Sequence, residues 1–410
     1  MTDITRRRFL SQGAMGAGAL AAGTVLGGTL WTTRLVFAAP GAKADGRVVF
    51  IILRGALDGL TAVPPYGDSA YAALRGPLAV PSPGEPDGGL ALDSLFALHP
   101  SLPFLHERFA AGELTVLHAA ATSYRERSHF DGQDVLESGI DRPHASDSGW
   151  LNRALALQGG KSGRLGIALG ANVPLVMRGS AEVASWSPSK LASLSEDTLQ
   201  RVTDLYSKDA VLSQRLADAL ASEAIAEQGP MPDAPRGGAA RYAETVRATA
   251  SFLRREDGPR VAVMETTGWD THANEGGAHG QLAQRLAALD AGLRELSAAL
   301  GPVWRDTAVL LATEFGRTAA SNGTRGTDHG TGSAAFLVGG AVAGGRVLAD
   351  WPGLGASSLY EGRDLRPTLD LRAVMKGFLH EQLKVSDRDL DGLVFPDSAA
   401  VRRIGGLIRG

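Results

Sequence analysis

The 410-residue sequence predicts an α/β fold with a mainly parallel central sheet and helices on both faces. Three observations carry that prediction. Apolar runs of strand length, such as Arg47–Arg54 and Thr307–Ala312, are continuous rather than alternating, as in strands covered on both faces. Segments of helical period separate them, so successive strands are joined by crossovers and run parallel. Charged and histidine residues gather in glycine-rich stretches just after the apolar runs, where open α/β sheets bind ligands.

Along the chain, Arg47–Arg54 is the first strand and residues 64–98, rich in Pro, Gly and Asp, read as a long surface excursion. A helix is predicted over 101–111, and strands over 114–118 and 165–169. Residues 186–256 have mostly helical period, with a Gly/Pro break at 228–238. Strands follow at 261–264, 307–312 and 334–338, with an Ala/Leu-rich helix over 280–300 and a closing helix over 369–379. No internal repeat is visible.

The first 38 residues form a leader rather than part of the fold. Arg6-Arg7-Arg8-Phe9-Leu10 precedes a weak, glycine-broken apolar run that ends near Val36-Phe37-Ala38. The adjacent arginines point to the twin-arginine translocase as an export partner, hence to a periplasmic or extracellular protein with no stable membrane span. The leader carries a net charge of +3 out of an overall −3, leaving the remainder near −6. That balance argues against a nucleic-acid binder. Cys is absent, which removes disulfides, thiolate metal sites and thiol nucleophiles.

Four polar segments follow predicted strands. Asp58, on the glycine-flanked turn Gly55–Gly59, can offer a carboxylate to a hard cation or simply close an Asx turn. In Arg125–Asp134, Ser128 stands at the mouth of a helix, where free N–H groups attract an anion and activate a hydroxyl. Ser-x-x-Asp also fits a capping box. Arg125 and Arg127 add charge suited to phosphate or sulfate oxygens. Asp270 and His272 lie two apart in a loop, a spacing that lets both reach one ion. Glu314 comes straight off a buried strand, and Asp328-His329 follows in a glycine-rich loop. His99, His106, His118, His144 and His380 read as ordinary structural histidines.

In this order, "LRGALDGL", "RSHFDGQD", "GWDTHANEGG", "ATEFGRT" and "GTDHGTGSAAFLVGG" make the chain resemble the DUF1501 family over nearly all of residues 39–410. That family is in turn similar to the alkaline phosphatase and sulfatase superfamily. The resemblance implies an alkaline-phosphatase-like α/β fold in one domain and usually two divalent metals. By the same resemblance Ser128 matches the hydroxyl nucleophile. Asp58, Asp270, His272, Glu314 and His329 match metal-binding positions, with Asp328 beside them, and Arg317 joins Arg125 and Arg127 as a charge-neutralising group. Phe315 stands where the relatives carry a metal-binding His, which weakens a two-zinc arrangement. The expected function is therefore an exported hydrolase of small anionic phosphate or sulfate esters, using a divalent metal (Zn, Mn, Mg or Ca). The alternative is an exported, non-catalytic binding or assembly protein that keeps the fold.

Overall fold

The strand β1 (Arg47–Arg54) forms where the sequence places its first unbroken apolar run, and every residue of it except Arg54 is buried. In this computed structural model, residues 46–158, 165–188, 196–206, 209–226 and 238–410 are described. The predicted leader and most of the predicted break at 228–238 lie outside them. Among the described residues, no helix is long and apolar enough to cross a membrane.

Short helices α1 (Gly59–Ala62) and α2 (Tyr71–Arg75) follow β1, then an antiparallel pair, β2 (Leu90–Ala91) and β3 (Ala97–Leu98). Helix α3 (Pro103–Ala110), β4 (Leu114–Ala121), α4 (His129–Ser138) and α5 (Trp150–Leu157) lead to β5 (Gly166–Leu169) and β6 (Val183–Trp186). Helices α6 (Glu196–Tyr206), α7 (Ala210–Ala226) and α8 (Gly238–Leu253) precede β7 (Val261–Thr267), α9 (Gln281–Leu300), β8 (Thr307–Ala312) and β9 (Ser333–Val338). β10 (Arg346–Leu348), β11 (Leu369–Asp370) and α10 (Leu371–Leu383) complete the larger elements.

The chain separates into two units, residues 1–35 with 189–225, and residues 36–188 with 226–410. The described part of the smaller one is α6 and nearly all of α7, whose first turn is capped by Asp209 accepting from Val211 N (2.9 Å) and Leu212 N (3.0 Å). The larger unit holds the sheet, in the order β10-β4-β9-β8-β1-β7-β5-β6, with β11 also on β4. All pairings are parallel except those of β9, which runs antiparallel to both β4 and β8.

On one face Val48, Phe50 and Ile52 pack with Trp150 of α5 and Phe378 of α10. The opposite-facing Val49, Ile51 and Leu53 are equally buried. Helix α9 buries Leu282, Leu286, Leu289, Leu293, Leu296 and Leu300, an apolar stripe at three- and four-residue spacing.

Two departures from the sequence reading are physical. Residues 64–98 are a surface excursion only in part, exposed over much of 81–95 but anchored in the core elsewhere. Tyr71, Arg75, Leu78, Phe96, Ala97 and Leu98 are buried, because Pro and Gly mark turns rather than exposure. Strand β4 extends to Ala121 through a bulge between Leu117 and Ala120. The bulge turns His118 inward, where its Nε2 donates to Val63 O (2.9 Å) and burial lowers its pKa to about 4. Strands β10 and β11 are too short to stand out as apolar runs, and β6 is interrupted by Ser185.

Candidate metal centre

The registers Arg54 to Thr267, Ile52 to Ala312 and Ala120 to Ser333 bring one edge of the sheet together. The carboxyl ends of β1, β4, β7 and β8 meet there with the start of the antiparallel β9. The loops carrying Asp58, Ser128, Asp270 and Glu314 leave from that edge, and the loop carrying His329 returns to it. Close loop approach depends on glycine at two points. Gly55 has φ +116°, and a Cβ there would lie 2.8 Å from Asp270 N. A Cβ on Gly326 would lie 2.4 Å from the His272 carbonyl.

Three imidazoles converge on Asp270. His272 Nε2 lies 3.0 Å and His329 Nε2 3.3 Å from Oδ1, while His129 Nε2 lies 3.4 Å from Oδ2. Each ring is held from behind through Nδ1. His129 donates to Glu314 Oε1 (2.8 Å), His329 to the Arg127 carbonyl (3.0 Å) and His272 to Asp328 Oδ1 (3.3 Å). With Nδ1 as the donor, each ring in its neutral form turns an Nε2 lone pair inward.

Two of those nitrogens, on His272 and His329, are only 3.1 Å apart, and the buried His129 Nε2 has no hydrogen-bond partner. Facing lone pairs around a carboxylate repel unless a cation sits among them. Ligand atoms of His129, Asp270 and His329 all lie within 4.8 Å of one another. The donor set therefore fits a divalent ion, and its nitrogen content suits zinc or another first-row metal better than magnesium or calcium.

The electrostatics differ from ring to ring. The hydrogen bond to Glu314 raises the pKa of His129, whereas burial and then the neighbouring His129 lower that of His329. Burial opposes the charge of Asp270, but Arg317, whose side chain is wholly buried, bonds it through Nη1 and holds the carboxyl below its usual range. Glu314 also stays ionised despite burial, through bonds from His129, Gln133 Nε2 (3.2 Å) and Gly55 N (2.8 Å).

Behind Arg317 lies a second buried network. Arg317 Nε donates to Thr327 Oγ1 (3.0 Å), which donates to Glu275 Oε2 (2.7 Å). Arg75 Nη2 meets Asp58 Oδ2 at 2.5 Å, Thr61 Oγ1 at 2.6 Å and Glu275 Oε1 at 3.6 Å. Burial works against the Asp58 charge, but Arg75, with the bonds from Glu275 and the Thr61 backbone, outweighs it and lowers the pKa. Glu275 is pushed up to about 8, first by burial and then by the Asp58 charge. Glu275 thus keeps a proton that the unfolded chain releases near its ordinary 4.5. Its contribution is complete below that value and is lost as pH rises through about 8, so stability falls across the window. Urea unfolding at about pH 5 and about pH 9 is expected to show this decline, and Glu275→Gln to flatten it. An equally steep decline in the variant contradicts the assignment.

The predicted site residues divide accordingly. Asp270, His272 and His329 come together. Glu314 and Asp328 stand behind two of the histidines instead of facing the shared centre. Asp58 is committed to Arg75 and to capping α1, accepting from Leu60 N (2.9 Å) and Thr61 N (3.1 Å). Arg125 turns away to the carbonyls of Thr122 and Tyr124 (2.8 Å to the latter). Arg127 pairs with Asp364 (2.8 Å) and Glu361 (2.5 Å), while its carbonyl orients His329. Arg317 serves Asp270.

Ser128 is the N-cap residue of α4, between Arg127 and His129, and its side chain makes no capping bond. Phe315 is buried and stacks on His129, with ring centroids 5.0 Å apart. Sequence reasoning missed His129, Arg75 and Glu275. His129 lay inside a flagged segment, adjacent to the favoured serine.

Residues 115–394 match the model of a family described as "Protein of unknown function (DUF1501)". The chain belongs to the DUF1501 family. All four converging side chains lie inside the matched segment, and Asp58 and Arg75 lie outside it. Comparison with curated proteins gives no match. Among solved structures, this DUF1501 chain is similar to Ps i-CgsB in complex with k-i-k-neocarrahexaose, at 12% identity and a TM-score of 0.40 over 87% of this chain and 77% of that one. It is similar to the C-terminal periplasmic domain of EcEptC from Escherichia coli in complex with Zn, at 8% identity and 0.34 over 73% and 74%. It is also similar to the phosphonate monoester hydrolase of Agrobacterium radiobacter, at 11% identity and 0.34 over 74% and 70%.

Proposed function

We propose that this DUF1501 protein is an exported hydrolase of phosphate or sulfate esters built on a single divalent metal. The observation that carries the reading is the convergence of three Nδ1-anchored histidines on Asp270. His129, Asp270, His272 and His329 hold the ion, and their partial exposure leaves the centre open to a substrate oxygen. A bound ion of this kind polarises an ester oxygen and lowers the pKa of an adjacent hydroxyl.

Ser128 is the nucleophile in this reading, flanked by a residue that orients one imidazole and by a residue that supplies another. Its oxygen bonds phosphorus or sulfur as the bond to the ester oxygen breaks and the alcohol leaves with a proton from solvent, and water then hydrolyses the phospho- or sulfo-serine ester to the inorganic anion and free Ser128. The hydroxyl proton passes to solvent. Backbone N–H groups at the start of α4 face negative charge favourably. Ser128→Ala is expected to lower turnover of an aryl phosphate or sulfate by about a thousandfold or more while metal content is unchanged. Turnover within tenfold of wild type removes Ser128 from the mechanism.

The twin-arginine leader, the motif resemblance to the alkaline phosphatase and sulfatase superfamily, and the nitrogen-rich donor set support the reading together. A non-catalytic binding role is the second reading. It is favoured by Asp58 being tied to Arg75 and by Phe315 packed on His129. That role predicts metal binding with no turnover on any ester.

A further inference from the structure

Resting on the reading above, we propose that Arg363 is the substrate-recognition residue of this centre, binding a tetrahedral oxyanion, phosphate or sulfate, at the edge of the histidine cluster. None of the arginines flagged in the sequence is placed to do this. Arg317 is wholly buried on Asp270, Arg127 is four-fifths buried between Asp364 and Glu361, and Arg125 faces backbone carbonyls.

Arg363 differs. Its side chain is 47% exposed, yet it is fixed at two points: Nε donates to Asp364 Oδ1 (2.8 Å) and Nη2 to the His329 carbonyl. Nη1 makes no bond among the described residues. Asp364 is fully buried and is shared, its Oδ2 taking Arg127 Nε (2.9 Å) while Oδ1 takes Arg363. Both residues also meet His329, the Arg127 backbone carbonyl accepting from its Nδ1 and the Arg363 guanidinium donating to its carbonyl.

One buried carboxylate thus holds two guanidinium groups, and of these the Arg363 guanidinium is the one bonded to a residue of the proposed metal site. A free exposed arginine spends rotamer entropy on binding. This one is already oriented, with Nη1 left to donate to an anionic oxygen. Glu361, 57% exposed on Arg127, is the neighbouring carboxylate that opposes anion approach.

The test is calorimetric titration of inorganic phosphate and of sulfate into the mature protein, zinc-loaded and metal-free, with three variants. Arg363→Gln is expected to weaken oxyanion binding about ten- to a hundredfold, the loss of one charge-assisted bond, with zinc content unchanged. Arg363→Lys is expected to recover part of that loss, and Glu361→Gln to tighten binding a few-fold. The tighter of the two anions names the ester class. Arg363→Gln binding within twofold of wild type overturns the proposal. So does a wild type that binds neither anion. Oxyanion binding that depends on Arg363 in a protein with no turnover sinks the hydrolase reading and leaves this one standing.

Discussion

Asp270→Ala is expected to abolish metal binding and to lower folding stability in the same protein. The two effects share a cause. Asp270 is the one carboxylate on which all three inward-facing Nε2 atoms converge, and it is the charge partner of Arg317. Its removal leaves the histidines without an anionic ligand among them, and strands a guanidinium whose side chain has no exposed surface.

An uncompensated buried charge costs about 3–5 kcal/mol. Arg317 keeps its bonds to Thr327, so the lower end is expected, roughly 3 kcal/mol by urea unfolding of the metal-free protein. Asp270→Asn retains the shape and is expected to lose most metal affinity with a smaller stability change. A variant that loses stability but keeps full metal content separates Asp270 from the metal centre.

The second large effect belongs to the buried network behind the centre. Arg75→Met removes a cation with no exposed surface and leaves Asp58 charged beside Glu275. Breaking such a pair from one side is expected to cost about 3–5 kcal/mol. Arg75→Met with Asp58→Asn is expected to recover much of the loss, because neither buried charge remains. A single variant within about 1 kcal/mol of wild type, or a double variant no better than the single, contradicts the pairing.

Much of this architecture is legible in the sequence. The strands that frame the site are unbroken apolar runs, and reading just past each one finds Asp270, His272, Glu314 and His329. Their division of labour is less legible. Glu314 and Asp328 have the chemistry of metal ligands, but only the fold shows that each bonds an imidazole Nδ1 and so stands one residue behind. Arg75 is invisible for another reason. Its partners Asp58, Thr318 and Ala319 come from two loops far apart in sequence, and its own segment looks like surface turns. Phe315 was legible as a departure. Its packing on His129 adds that the ring fills the place beside a histidine the sequence reading had passed over.

A single metal is held, in this reading, by histidines from the start of α4 and from two loops. The most direct test is elemental analysis of the purified protein, alongside His129→Ala and His329→Ala. One equivalent of zinc or another first-row divalent metal in the wild type, lost in both variants, is the expected result. A wild type that stays metal-free after soaking, or one whose metal survives both substitutions, contradicts it.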